Sequence, residues 1–234
     1  MRLNPSPGRR LLPLIALFLL ALAGCATVRP PLAAGPGEEI DTLSSTISLS
    51  ITGGKQDVSA HGYLIFKRPG RLHLGVLSPF GTSLLELFSE GDNVTCLLPG
   101  KLVAYRGEAS DVEGGELVGA LRLIRWVLEP PPAAAPGSVE VAMEGGGTEK
   151  VYFLRNGLVG RKVAAGGDEV TYGDYREVDG VPFPEQIELR DRRGVRIRIS
   201  FEDPEVNRPV AEEALAPKLD DYTVEPLSSF CGLQ

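Results

Sequence analysis

Histidine, cysteine and closely spaced carboxylates are the usual raw material of catalytic and metal sites. This 234-residue sequence has two histidines, His61 and His73, and three cysteines, Cys25, Cys96 and Cys231. Each histidine falls in an alternating, strand-like run and shares its side of that run with polar residues, so solvated strand positions account for both more simply than a ligand pair. Ser89-Glu90 and Asp220-Asp221 have no organising partner in the sequence. No GxSxG, HExxH, phosphate-loop or dinucleotide fingerprint is present. No CxxC or zinc spacing is present either. These residues predict a protein that is not an enzyme, with no catalytic residue, no metal and no cofactor.

One charged group stands out against an acidic background, formal net charge −7. Arg190, Arg192, Arg193, Arg196 and Arg198 crowd the last apparent hairpin. A solvated outer face and turn explains them; so does contact of Arg192, Arg193 and Arg196 with phosphate headgroups or an acidic partner, since guanidinium forks suit both. No basic stripe long enough for nucleic acid exists, which excludes that class of partner.

The N-terminus positions Cys25. Arg2, Arg9 and Arg10 precede an apolar run, Leu11–Leu22, of signal-peptide length and too short to span a bilayer. The run ends in Leu22-Ala23-Gly24-Cys25, which resembles a bacterial lipobox. That resemblance implies export, cleavage after Gly24, diacylglycerol on the Cys25 sulfur and a palmitate-type acyl chain on the new N-terminus. Ala26, in place of the Asp that favours inner-membrane retention, implies delivery to the outer membrane, periplasmic face. Two or more chains anchor stably, at about 0.8 kcal/mol per buried CH₂. Loss of residues 1–24 removes three arginines and no acid, taking the net charge from −7 to −10. Residues 25–40 hold the lipidated Cys and a Pro/Ala/Gly-rich tether. Cys96 and Cys231 fit one disulfide in an oxidising compartment, or two thiols; their spacing does not choose.

From residue 41 onward the pattern is of strands. In Arg71–Glu90 two apolar runs flank Ser78-Pro79-Phe80-Gly81-Thr82, a break with turn chemistry. A large aromatic at a turn tip has two readings: folded back onto its own hairpin, or aimed at something apolar outside the protein. Strand-length runs between turn signals also cover 46–51, 58–66, 94–98 and 102–106, then 138–143, 150–155, 159–164, 169–175, 185–190 and 195–201, with clean alternation in 46–51, 58–66 and 195–201. Tight turns between them, Asn156-Gly157 the clearest, make neighbours antiparallel. Between the two sets, Leu117, Leu121, Ile124 and Leu128 recur at helical spacing before Pro130-Pro131-Pro132. The expected fold is mainly β: about a dozen antiparallel strands in a single strongly curved sheet or barrel, with one amphipathic helix inserted, in one domain over 41–204 and a C-terminal tail over 205–234.

This order of motifs resembles the outer-membrane lipoprotein receptor family, LolB, and more loosely its soluble carrier relative LolA. The resemblance is carried by Leu77–Thr82 with Leu85-Glu86-Leu87, by Leu121–Leu128 with Trp126, and by Tyr172–Tyr175, Pro182–Ile187 and Arg196–Ile199. It implies a LolA/LolB-like fold, an incomplete antiparallel β-barrel of about 11–12 strands with a covering helix insertion, whose apolar cavity takes acyl chains. It also implies a protein-transport chaperone that accepts lipoprotein cargo from a LolA-like periplasmic carrier and inserts it into outer-membrane lipid. Pro79, Phe80 and Gly81 match the family's membrane-insertion loop. Leu74, Val76, Leu85, Leu87, Val103, Trp126 and Ile197 are the candidates for the acyl-chain cavity. The chain is expected to act as a monomer. Two alternatives use the same fold: a structural or assembly lipoprotein that fills the barrel and docks through its surface, or a carrier of another amphiphile such as a glycolipid.

Overall fold

The structure is a computed structural model, and it describes residue 32 and residues 39–54, 57–109, 126, 128, 137–142 and 147–230. The unit Leu32–Gln234 is compact in its own right. Among the described residues it has thirteen strands: β1 (Thr42–Thr52), β2 (Val58–Lys67), β3 (Arg71–Leu77), β4 (Ser83–Glu90), β5 (Asn93–Leu98), β6 (Val103–Glu108), β7 (Ser138–Ala142), β8 (Thr148–Phe153), β9 (Val159–Ala164), β10 (Glu169–Val178), β11 (Val181–Arg190), β12 (Arg196–Val206) and β13 (Thr223–Pro226).

All thirteen belong to one sheet, in the order β13-β6-β5-β4-β3-β2-β1-β12-β11-β10-β9-β8-β7. Two antiparallel meanders therefore meet at the β1–β12 pair, Leu43 opposite Val206 and Ile51 opposite Ile197. Because β13 and β7 are edges, the sheet is open, an incomplete barrel. The twelve runs read from the sequence are β1–β12. The predicted helix falls almost wholly outside the described residues; of it, Trp126 and Leu128 are described, both with helical backbone.

Alternation decides which face is which. On β3 and β4, Leu72, Leu74, Val76, Leu85 and Leu87 turn to the inner face, and the register pairs Leu74 with Leu87 and Val76 with Leu85. Leu43, Ile47, Phe183, Ile187, Ile199 and Phe201 from the far side of the sheet complete the same core, with Trp126 against it. A tightly coiled sheet needs backbones that approach closely. Gly62 on β2 supplies one such point: a Cβ there would lie 2.0 Å from the Gly75 carbonyl oxygen.

The segment beyond Val206 carries no motif in the sequence, yet it closes an edge. On the outer face Leu219 and Tyr222 pack against Phe88, Leu97 and Ala104. The chain then runs parallel to β6 as β13, Thr223 opposite Val103. It ends on the inner side, where Leu227 joins the main core and Phe230 meets Tyr105 edge to face. A lone β6 edge would expose a row of unpaired peptide groups; β13 satisfies it.

Candidate functional site

The β3–β4 turn is a rigid mount. Ser78 N–H donates to the Thr82 carbonyl at 2.8 Å and Gly81 N–H to the Ser78 carbonyl at 2.9 Å. The Ser78 hydroxyl accepts from the N–H of Phe80 and of Thr82, both at 3.2 Å, and lies 2.7 Å from the Thr82 hydroxyl. Pro79 fixes φ ahead of the tip, and Gly81 takes φ +78°, where a Cβ would be strained. Held this way, Phe80 does not fold back onto its hairpin: it is 93% exposed.

The inner face lies behind that turn. Leu74, Leu85, Leu87 and Trp126 are buried in the main core, and Val76 and Ile197 are half-buried against it. Val103 is half-buried and shares the inner register through its pair, Leu98. Cover declines toward the end that carries Phe80. Along β1 it goes from buried Leu43 and Ile47 to half-buried Leu49 and Ile51; along β12, from Phe201 and Ile199 to Ile197. On β3, Leu72 is 1% and Leu74 8% exposed, and Val76 is less covered than either. The apolar face is thus sealed at one end and half-open under the Phe80 turn.

Several turns share that end. Strand register puts the β1–β2, β3–β4, β5–β6, β9–β10 and β11–β12 connections on one rim. Arg192 and Arg193 project from the β11–β12 turn, exposed. Its backbone is fixed by Asp191, whose carboxylate accepts the N–H of Arg193 and of Val195, and by Asp168, which accepts that of Arg192. Arg196 belongs to a different surface: it and Arg198 share Glu188 at 3.1 Å and 2.8 Å on the strand face. The rim therefore gathers Phe80, Arg192 and Arg193 and leaves Arg196 out.

A polar group within the apolar interior escapes sequence reasoning. Lys162 is 1% exposed, donates from Nζ to the Trp126 carbonyl at 3.0 Å, and lies 5.9 Å from the centre of that indole. Buried Glu149 accepts from Trp126 Nε1. Both sit on the inner side, opposite Val151 and Ala164 in the ladder. A lysine in phase with Ala164 on an otherwise apolar strand face is the signal that marks it, since a buried charge needs a partner.

The histidines differ from expectation in one case. His61 is exposed, 3.1 Å from the Ser48 hydroxyl. His73 is not solvated: its ring stacks on Phe88, Nδ1 lies 2.7 Å from the Ala214 carbonyl, and Nε2 3.2 Å from the Tyr63 hydroxyl. The C-terminal segment covers it, and no local pattern could foretell that. Nδ1 donates to a carbonyl, so Nε2 accepts from Tyr63. Burial lowers the His73 pKa, against the upward pull of the Ala214 carbonyl and Glu86. Burial pushes the free Cys96 thiol up to about 12, which leaves it inert as a nucleophile. Cys25 and Cys231 lie outside the described residues. Among the described residues, no group of three His, Cys, Asp or Glu could hold a metal ion.

The result is an open antiparallel half-barrel with an apolar inner face and a rim that carries Phe80, Arg192 and Arg193. Three solved structures share the fold. A DUF1329 family protein from Desulfovibrio piger matches with TM-score 0.56 at 12% identity, over 76% of this chain and 92% of that one. A putative outer membrane lipoprotein-sorting protein domain from Vibrio parahaemolyticus gives 0.53 at 9%, over 76% and 91%. A LolA superfamily protein from Nitrosomonas europaea gives 0.52 at 10%, over 81% and 93%. None of the curated proteins matches in sequence. The family model described as outer membrane lipoprotein LolB matches residues 42–203. The chain belongs to the LolB family, and its role lies in lipoprotein localisation.

Proposed function

We propose that this protein is a lipoprotein receptor of the outer membrane. It is held there by acyl chains on Cys25, accepts cargo lipoproteins from a LolA-type periplasmic carrier and releases them into the bilayer. The observation that carries this reading is a phenylalanine held almost fully in water by a rigid turn, directly above the half-covered end of an apolar face. Acyl chains cannot cross an aqueous gap bare, and an apolar face hides them at about 25 cal/mol per Å². Leu74, Val76, Leu85, Leu87, Val103, Trp126 and Ile197 line or border that face, and Phe80, between Pro79 and Gly81, is the group that enters lipid. Arg192 and Arg193 approach headgroups from the same rim. Transfer needs no cofactor and no catalytic residue, only tighter binding at each successive station. The test is Phe80→Glu in cells: the receptor reading expects a folded, anchored protein that no longer delivers other lipoproteins. Normal delivery would refute it.

A second reading has an observation of its own. Leu74, Leu85 and Leu87 are already buried, as they would be in a filled interior serving a docking module. Native mass spectrometry with a triacylated lipopeptide separates the two. A receptor binds it one to one and loses it on Leu74→Arg; a docking module does not bind it. Preference for a glycolipid over the lipopeptide would point to a carrier of another amphiphile.

A further inference from the structure

The turn beside the Phe80 turn, between β5 and β6, holds a leucine at a backbone position that glycine would serve as well and where the side chain adds nothing to packing. Pro99–Lys101 forms one 3-10 turn, and the residue that leaves it, Leu102, sits in the left-handed region at φ 53°, ψ 38°. Glycine or asparagine is the residue expected there, because a Cβ crowds the following peptide. The backbone leaves Leu102 no other choice. Its N–H donates to the Pro99 carbonyl at 3.2 Å, and its carbonyl accepts Thr223 N–H, the start of β13, at 2.9 Å. Yet its side chain gains no burial for the strain: Leu102 is 53% exposed.

A second irregularity lies between the two turns. The β3–β4 register slips between Val76 and Leu77, so Leu84 is an extra residue in the ladder. It is 47% exposed. Since β4 and β5 are neighbours, the two turns are two strand spacings apart, about 10 Å. Phe80, Leu84 and Leu102 thus make one apolar edge on adjacent hairpins, with the basic Lys101 next to Leu102. Strain that serves no packing is retained where it serves contact.

We propose that Leu102 is a second membrane-contact residue, so that the turns 78–82 and 99–102 seat together on a phospholipid bilayer, with Leu84 between them. This rests on the reading of Phe80 as a lipid contact. Two feet fix a tilt, where one inserted ring leaves the domain free to swing. The tether permits this pose. The chain enters β1 at the opposite rim, and 17 residue steps separate Cys25 from Thr42; fully extended they reach about 58 Å. The 11 residues of β1 rise only about 37 Å. An anchor at Cys25 and the far rim can therefore touch the same bilayer.

The experiment uses the chain from Ala26 onward, since Leu32–Gln234 is compact by itself. Its flotation with phosphatidylethanolamine/phosphatidylglycerol vesicles is compared for wild type, Leu102→Gly, Leu102→Phe and Phe80→Ser, with thermal midpoints alongside. Leu102→Gly removes the side chain and the strain together. The expected result is a higher midpoint with about tenfold weaker vesicle binding, while Leu102→Phe binds at least as well as wild type. A purely structural Leu102 would instead show midpoint and binding falling together, which overturns the proposal. Unchanged binding by Leu102→Gly beside a loss in Phe80→Ser overturns the second foot and leaves the receptor reading intact. Unchanged binding by both overturns the two readings at once.

Discussion

The two rims of this sheet are built from opposite materials. At the end where the chain enters β1, charged pairs stitch neighbouring segments together. Glu212 takes both Lys67 and Arg71, Arg68 meets Glu39, and Arg208 meets Asp179. Asn207 accepts the N–H of Asp41 and donates to the Glu39 carbonyl. At the other end large apolar side chains stand exposed, Phe80, Leu84 and Leu102, with Val58 at the mouth of the inner face, beside the exposed Arg192 and Arg193. Exposed ion pairs add little stability each, but they keep a rim wetted and monomeric. A cluster of exposed large apolar side chains is a liability unless something covers it in use. The contrast shows a unit polarised along its strands, with charged pairs at one end and exposed large apolar side chains at the other.

The largest effect that sharpens this contrast lies inside. Leu87→Ala, in the sealed part of the inner face, should cost about 2–5 kcal/mol of unfolding free energy. Val76→Ala, at the half-open end, should cost under about 1 kcal/mol, because less cover is lost; urea titration reads both. Equal costs would mean that the face is uniformly packed.

Next comes Phe80→Glu. Unfolding should stay within about 0.5 kcal/mol of wild type, since the ring touches nothing. Vesicle binding should fall at least tenfold, which is about 1.4 kcal/mol.

His73 follows. Its folded-state pKa is lowered, so neutral histidine is favoured by folding. The stability this gives is present above the ordinary value of 6.5 and is lost as pH falls below it. Chemical denaturation from pH 7.5 to 5 should show this decline in wild type and a flatter line in His73→Asn, which keeps a donor near the Ala214 carbonyl.

The smallest effect belongs to the wetted rim. Lys67 and Arg71 hold the Glu212 carboxyl at about 2, below its ordinary 4.5. Its contribution is present above pH 4.5 and is lost as pH falls toward 2. Glu212→Gln should flatten acid unfolding in that window and leave vesicle binding at neutral pH unchanged.

Much of this was legible in the sequence, for a local reason. Alternation along 46–51, 58–66 and 195–201 assigns each side chain a face whatever lies opposite, and strand-length runs between turn signals mark the other strands. Ser78-Pro79-Phe80-Gly81 likewise carries its own turn chemistry. Lys162, His73, Leu102 and β13 were not legible. Lys162 reads as an ordinary polar strand residue until Trp126 is placed against it. His73 reads as solvated until Ala214 arrives from 141 positions away.

By itself, the sequence determined that this is a β-protein with an apolar face and an aromatic turn tip, because each depends on residues within a few positions of one another. Only the tertiary structure decided that the last strand comes from an unpatterned C-terminal segment, and that charged pairs stitch one end while large apolar side chains stand exposed at the other. Those outcomes depend on pairings across more than a hundred residues, whose loop-closure entropy and mutual burial no local pattern encodes.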